Sequence, residues 1–408
     1  MKILNVAKAA LYGIFLNYYC FYVLAGRFIP GGTILFLGVA LLCVGWDVWH
    51  QRYVYVGTEV KCWLLYAALS FATTMFITMG SGDTGFVGDI IKHVQRVAII
   101  MAVAYICERE GSTRFGLQLM AVTAIALAIS VISVTGDINR KLDITSGASL
   151  SANDTGAILA FGCFAVLFAW GKRENASMTL SVIKIAGVIC CIAVIFLAGS
   201  RKSITAVLIM MAVLLVLCFP DYSRKISAKK VMIVLIIGIA AYLFVTKNLL
   251  PHAQQTNLYD RLFGDNAAGA ASSDQIRIDL YKWALEAFLE HPFFGLGFNQ
   301  YVKYHGNYTH STYAEPLACS GMLGLVYLYP YFLIIKKQLH LIRRTPFDSY
   351  ARLKQKEIFA YLCMFLFVAV GIPYMYKDAP CIVLGTLIGH QAISFRELRK
   401  TGKCSGDY

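Results

Sequence analysis

Residues 185–219 read IAGVICCIAVIFLAGSRKSITAVLIMMAVLLVLCF, two apolar runs with Arg201 and Lys202 as the only charges in the stretch. With their flanks they form spans at 179–199 and 203–219, each near the length that crosses about 30 Å of hydrocarbon. The link Ala198-Gly199-Ser200-Arg201-Lys202-Ser203 is so short that the second run must return beside the first. Hydrocarbon supplies no hydrogen-bond partners, so each run has to satisfy its own backbone as an α-helix. An all-α membrane bundle is the fold that follows, and the rest of the chain repeats the pattern.

Across 408 residues the chain is 58% hydrophobic and 15% charged, with a mean hydropathy of +0.62. Those values exclude a water-soluble globule and describe a polytopic membrane protein. Twelve spans are expected, near 9–26, 31–46, 61–80, 90–107, 115–135, 155–170, 179–199, 203–219, 231–247, 316–335, 358–372 and 380–395. The second, eleventh and twelfth are short for a full crossing. With Met1 in the cytoplasm, 24 of the 37 Lys and Arg fall on inner segments and 13 outside, as the positive-inside bias requires. Both termini are then cytoplasmic, and the long polar segment before residue 316 faces outward. The basic 336–357 connection and the basic tail require an inner side independently.

The net charge of +14 is in large part this topology signal together with contact to anionic headgroups, and it implies no nucleic-acid partner. The first span has a signal-peptide outline but no clear small-x-small cleavage site, so a retained helix is expected. Of the twelve cysteines all but Cys404 fall in or at the edge of spans, and none forms C-x-x-C. Neither a disulfide framework nor a zinc site is supported. Three regions result: spans one to nine over 1–246, an external subdomain over 247–315, and three further spans with a tail over 316–408.

In the external subdomain, Ser272-Ser273-Asp274-Gln275 predicts a helix start with capping-box spacing. Ile276, Leu280, Trp283, Ala284, Ala287 and Phe288 then recur as one apolar stripe facing the membrane or the bundle, with Arg277 and Tyr281 one turn apart beside it. Pro292 ends the helix and Gly295-Leu296-Gly297 permits a sharp redirection. Such a helix also serves simply as a structural lid.

Cations gather on the same side. Arg201 and Lys202 lie at the outer boundary, Lys92 and Arg96 inside the outer half of the fourth span, and Arg140 and Lys141 in another outer loop. A single snorkelling Arg at a span end is ordinary. An outward-facing cluster opposes the topology bias, however, and an anionic substrate is the simplest reason for it. A lipid-linked pyrophosphate fits, with its tail in the bilayer and guanidinium forks on the phosphate oxygens. The same cations would stabilise charge building on a departing pyrophosphate. No metal is needed for that: the chain has no D-x-D pair, and the first outer loop, Arg27 to Gly32, has no carboxylate. His310, before the tenth span, can accept a proton near neutral pH and so deprotonate a sugar hydroxyl. His252, His291 and His305 share the loop, and a histidine at a span end often only satisfies a hydrogen bond, so residue type alone does not select among them.

The run His310-Ser311-Thr312-Tyr313-Ala314-Glu315, followed by Leu317, Gly321 and Gly324, resembles the motif of the O-antigen ligase and polysaccharide polymerase family of bacterial membrane glycosyltransferases. The Gly199-Ser200-Arg201 corner, the arginine-bearing loop helix with its Trp283 to Gly297 pattern, and the twelve-span GT-C-like layout resemble that family too. The likeness is specific over roughly residues 195–330. Ser311 departs from the asparagine that commonly follows the histidine. The resemblance implies transfer of a glycan from undecaprenyl pyrophosphate to an acceptor hydroxyl, with inversion, without metal or other cofactor, at the outer face of the bacterial cytoplasmic membrane. It makes His310 the base and places Arg201 and Arg277 on the pyrophosphate. Lys92, Arg96 and Arg140 join them from charge and depth, with Tyr281 in support. Glu315 either orients His310 or begins the next helix. The expected partners are the lipid-linked donor, a glycan or lipid-linked glycan acceptor, the bilayer and polysaccharide assembly proteins. Ligase and polymerase share this chemistry and are not separated by the sequence.

Two readings of other classes stand beside it. A transporter or flippase of lipid-linked oligosaccharide would explain charge in a helical bundle, although inverted repeats are absent and mid-span carboxylates of the sort that relay protons are scarce. A non-catalytic assembly scaffold would leave His310 without a task.

Overall fold

The computed structural model describes residues 2–17, 29, 31–51, 57–79, 84–134, 152–170, 178–198, 200–223, 267–346 and 350–400. Its main elements are all helical: α1 (Lys2–Leu16), α2 (Gly32–Gln51), α3 (Thr58–Thr78), α4 (Gly85–Glu110), α5 (Arg114–Val134), α6 (Ala152–Phe168), α7 (Met178–Leu197), α8 (Arg201–Ser223), α9 (Ala267–Glu290), α10 (Tyr301–His305), α11 (Ala314–Ser320), α12 (Gly324–Arg344), α13 (Tyr350–Ala369) and α14 (Ala379–Lys400). No strand occurs among the described residues. The protein is a polytopic helical membrane protein, as its composition requires.

Six segments among the described residues are long and apolar enough to cross a membrane: Gly32–Gln51, Thr58–Thr78, Gly85–Glu110, Arg114–Ile132, Thr179–Leu197 and Ala314–Arg344. The last joins α11 and α12 across a 3-10 turn at Gly321–Leu323. Ile3–Leu16 and Asn153–Phe168 are shorter apolar helices. The count of twelve is not reached by this measure, and the ninth expected span, 231–247, lies outside the described residues. The first helix also begins earlier than the expected 9–26, at Lys2.

Glycine-lined contacts set which helices meet. On α14, Gly385 and Gly389 lie one turn apart against α4; a Cβ would stand 2.7 Å from Val103 Cβ at the first and 2.7 Å from Cys107 Cβ at the second. Small residues of this kind let backbones approach in lipid, where van der Waals packing rather than the hydrophobic effect joins helices. On α6, Gly156 faces Ser200 and Ser203 at the start of α8, and Gly162 faces Ala124 of α5. The N-terminal ends of α4, α6, α8 and α14 are thereby gathered at one end of the bundle. At the other end Lys8 pairs with Glu110, Arg396 lies 4.0 Å from Glu108, and Lys337 bonds the buried Glu59 at 2.6 Å. The first and last helices therefore both reach the C-terminal end of α4.

Candidate functional site

The loop helix α9 starts at Ala267, upstream of the Ser272-Gln275 cap expected from sequence. The alanines before Ser272 are strong helix formers, and they carry the helix past the predicted start. Its expected stripe also divides. Leu280, Ala284 and Ala287 are buried with Tyr301, Ala318 and Cys319, whereas Ile276 and Trp283 face outward. Two alanines in that face allow close approach to α11, and the bulkier side chains are left on the other side. Tyr301 Oη donates to the Leu280 carbonyl at 2.7 Å, and Trp283 stacks on His305 with centroids 5.0 Å apart.

After α9 the chain stops at Glu290 and turns through 291–297, as Pro292 and the glycine pair predict. This turn is docked by its backbone: Leu296 and Gly297 N–H donate to the Ala318 and Cys319 carbonyls at 3.1 and 2.8 Å, and Met322 N–H to Pro292 at 2.7 Å. Gly295 and Gly321 have φ of 65° and 56°, and a Cβ on either would lie 2.4 Å from backbone atoms of the facing segment. Glycine is required at both on two independent grounds.

His310 lies in the short loop between α10 and α11 and has φ of 59°. Non-glycine residues adopt this left-handed conformation only where neighbours impose it, and here they do so from both sides. Before it, Thr309 N–H donates to Glu315 Oε2 at 2.7 Å. After it, Ser311 Oγ accepts from the N–H groups of Tyr313 and Ala314. Thr312 N–H donates to the Ala369 carbonyl at 2.9 Å, its hydroxyl donates to the Ile372 carbonyl, and Tyr374 N–H donates to that hydroxyl at 3.0 Å. Glu315 is fully buried and also accepts from Tyr376 Oη at 3.0 Å. It reaches His310 through Thr309, while also lying in the first turn of α11.

The Ala369 and Ile372 carbonyls belong to the strap 369–378 that joins α13 to α14. Tyr281 of α9 donates to Val370 O at 2.9 Å, and Arg96 of α4 donates to Met375 O at 3.0 Å and to Asp378 at 2.7 Å. Lys377 bonds Asp154 of α6 at 2.7 Å and lies 5.8 Å over the Tyr308 ring, whose centroid is 4.4 Å from that of His310. Lys202, near the start of α8, sits against Gly371. Helices α6, α8 and α9 and the strap thus bring charged groups to the imidazole.

Their charges act on it. Burial and the cations Arg277, Lys202 and Lys377 lower the His310 pKa to about 4, with Asp154 opposing them. Burial raises that of Tyr308, against the pull of Lys377. At neutral pH His310 is accordingly neutral and carries a free lone pair.

Of the residues singled out from sequence, the structure brings His310, Arg277 and Tyr281 to one place, with Glu315 beneath. Arg201 opens α8 next to Lys202 and is half-buried. Arg96 is engaged with the strap. Lys92 is exposed and pairs with Asp89 at 3.3 Å, which also accepts from Asn299 Nδ2 at 2.6 Å. Arg140 lies outside the described residues. Lys377, Asp154 and Tyr308 were not picked out by sequence reasoning; an outer-link lysine and a carboxylate opening an apolar span were the available signals. Among the described residues no three His, Cys, Asp or Glu side chains converge as a metal site would require.

Residues 186–329 match the O-antigen ligase family. The match takes in α8, α9, the His310 loop and the start of α12, and ends before the strap. No curated protein matches the chain. The likeness to that family is to glycan transfer of the ligase or polymerase type, which uses lipid-linked glycan and glycan acceptors in a membrane.

Proposed function

Since residues 186–329 of this chain match the O-antigen ligase family, we propose that it transfers a glycan from undecaprenyl pyrophosphate to an acceptor hydroxyl, as a surface-polysaccharide polymerase or ligase. The observation that carries this reading is an uncharged imidazole, strained in backbone and faced by Arg277, Lys202 and Lys377. The acceptor oxygen attacks the anomeric carbon, and its proton passes to His310. The bond from that carbon to the phosphate oxygen breaks, with its electron pair leaving on the diphosphate. Direct displacement from the opposite face inverts the centre. Arg201 and Arg277 hold the diphosphate, and fixed cations stabilise the charge that develops on it, the task a metal performs elsewhere. No metal takes part in this reading.

A pKa of about 4 makes His310 a weak base in the free enzyme. Binding a diphosphate neutralises the cations that depress it, which raises the imidazole's basicity where it is needed. The site lies outside the bacterial cytoplasmic membrane and both termini lie inside, since the opposite end of the bundle carries the basic 336–357 connection and tail. Reconstitution with lipid-linked oligosaccharide tests the proposal. Glycan joined to a new acceptor supports it, whereas translocation without bond formation, or no turnover in any donor and acceptor combination, overturns it.

A further inference from the structure

We propose that Lys377 is a diphosphate-binding cation of this site, and that Asp154 is its resident stand-in, giving Lys377 up when the lipid-linked diphosphate enters. The inference rests on the donor reading above and concerns two residues outside the matched family segment.

The strap fixes the Lys377 backbone independently of its side chain. Thr312, Tyr281 and Arg96 hold the carbonyls of Ile372, Val370 and Met375, and Arg96 also holds Asp378. Exchange of the anion paired with the ammonium therefore leaves its origin in place. Its side chain retains 28% exposure and that of Asp154 retains 12%, so both ions are largely removed from water. A cation so placed is costly to leave unpaired, and exchange of one anion for another avoids that cost.

The charge pattern favours an incoming anion. Around His310 stand Arg277 from α9, Lys202 from α8, Lys377 from the strap and Asp154 from α6. Glu315, fully buried, is engaged by Thr309 and Tyr376. Among the described residues, three cations thus face one carboxylate at the imidazole. A diphosphate esterified at both ends carries two negative charges at neutral pH, which suits the cations once Asp154 has withdrawn. Gly156, closing α6 onto the start of α8, is what brings the stand-in to the same corner as Lys202.

Removing either partner of a purely structural ion pair changes the protein in the same direction. The present assignment requires opposite directions. Asp154→Asn should lower the donor KM and enlarge the thermal stabilisation by inorganic pyrophosphate of the detergent-purified protein. Lys377→Met should raise the donor KM by about tenfold or more, the order expected for a charge-assisted contact, and shrink that stabilisation. The acid limb of kcat/KM should move down in Asp154→Asn and up in Lys377→Met, because the first loses an anion near His310 and the second a cation. Lys377→Arg should restore most of the donor KM, which guards against misfolding of the Met variant. Equal losses in Asp154→Asn and Lys377→Met with unmoved pH limbs, or no rescue by Arg, would overturn the assignment. If the wild type performs no transfer, the donor reading fails instead; the pyrophosphate shifts still decide whether this pair exchanges anions.

Discussion

At the residue scale the imidazole of His310 is defined by what surrounds it. Its left-handed backbone restricts informative replacements, since Ala is strained there and Asn is not. His310→Asn should keep the fold and the stabilisation by pyrophosphate yet lower kcat by roughly 10²–10⁴-fold, the usual contribution of a positioned base; undiminished turnover would remove His310 from the chemistry. Arg201→Lys and Arg277→Lys should each impair donor use measurably, because a point charge does not reproduce a planar two-pronged contact. Full activity in both would remove that argument. The pH profile supplies a separate check. The free-enzyme limb in kcat/KM should fall at low pH, near the lowered His310 value of about 4. The limb in kcat, which reports the loaded enzyme, should lie higher, since bound diphosphate offsets Arg277, Lys202 and Lys377. A kcat limb at or below that of kcat/KM would contradict the proposed coupling.

Among the elements, the segment from 291 to 324 behaves as one clamp. Its turn is hydrogen-bonded to α11 and to the 3-10 turn, and Gly295 and Gly321 interlock with opposing backbone. Gly321→Ala should therefore destabilise the protein by at least about 1–2 kcal/mol, through a left-handed φ and a methyl with no space. Gly88→Ala is the contrast, because that helical position has nothing within 4 Å; it should be neutral or stabilise by roughly 0.5–1 kcal/mol. Thermal unfolding in detergent separates the two, and similar melting shifts would refute the clamp. The limits of sequence periodicity also show at this scale. The α9 stripe was legible as apolar, but which part of it packs is decided by the two alanines that fit against α11. The strap 369–378 carries no periodic signal, and its role arises from carbonyls that any residue could supply.

For the whole molecule, the proposed site and the ends of the first and last helices lie at opposite ends of one bundle. This arrangement sets the outcome of a topology experiment. A phosphatase reporter inserted in the 247–266 segment should be active, and a fluorescent protein fused after residue 408 should fluoresce in the cytoplasm. The reverse pattern would put the imidazole on the wrong side for a lipid-linked donor presented outside. In the proposed reading charge at this scale is divided by function, with basic residues near the termini serving topology and those around His310 serving substrate contact.

The sequence by itself determined the membrane class, the helical architecture and the likeness of residues 186–329 to the O-antigen ligase family. Those properties are local: hydropathy, turn chemistry and a short motif act over one or two helices. Only the tertiary structure decided that Lys377 and Asp154 meet beside His310, that Arg96 holds the strap, and that Glu315 accepts from Thr309. These pairings join residues as much as 282 positions apart, and nothing in a one-dimensional pattern states which helix ends will share a corner. Close approach at Gly156, Gly385 and Gly389 does that, by letting particular backbones touch where lipid offers no hydrophobic drive for them to do so.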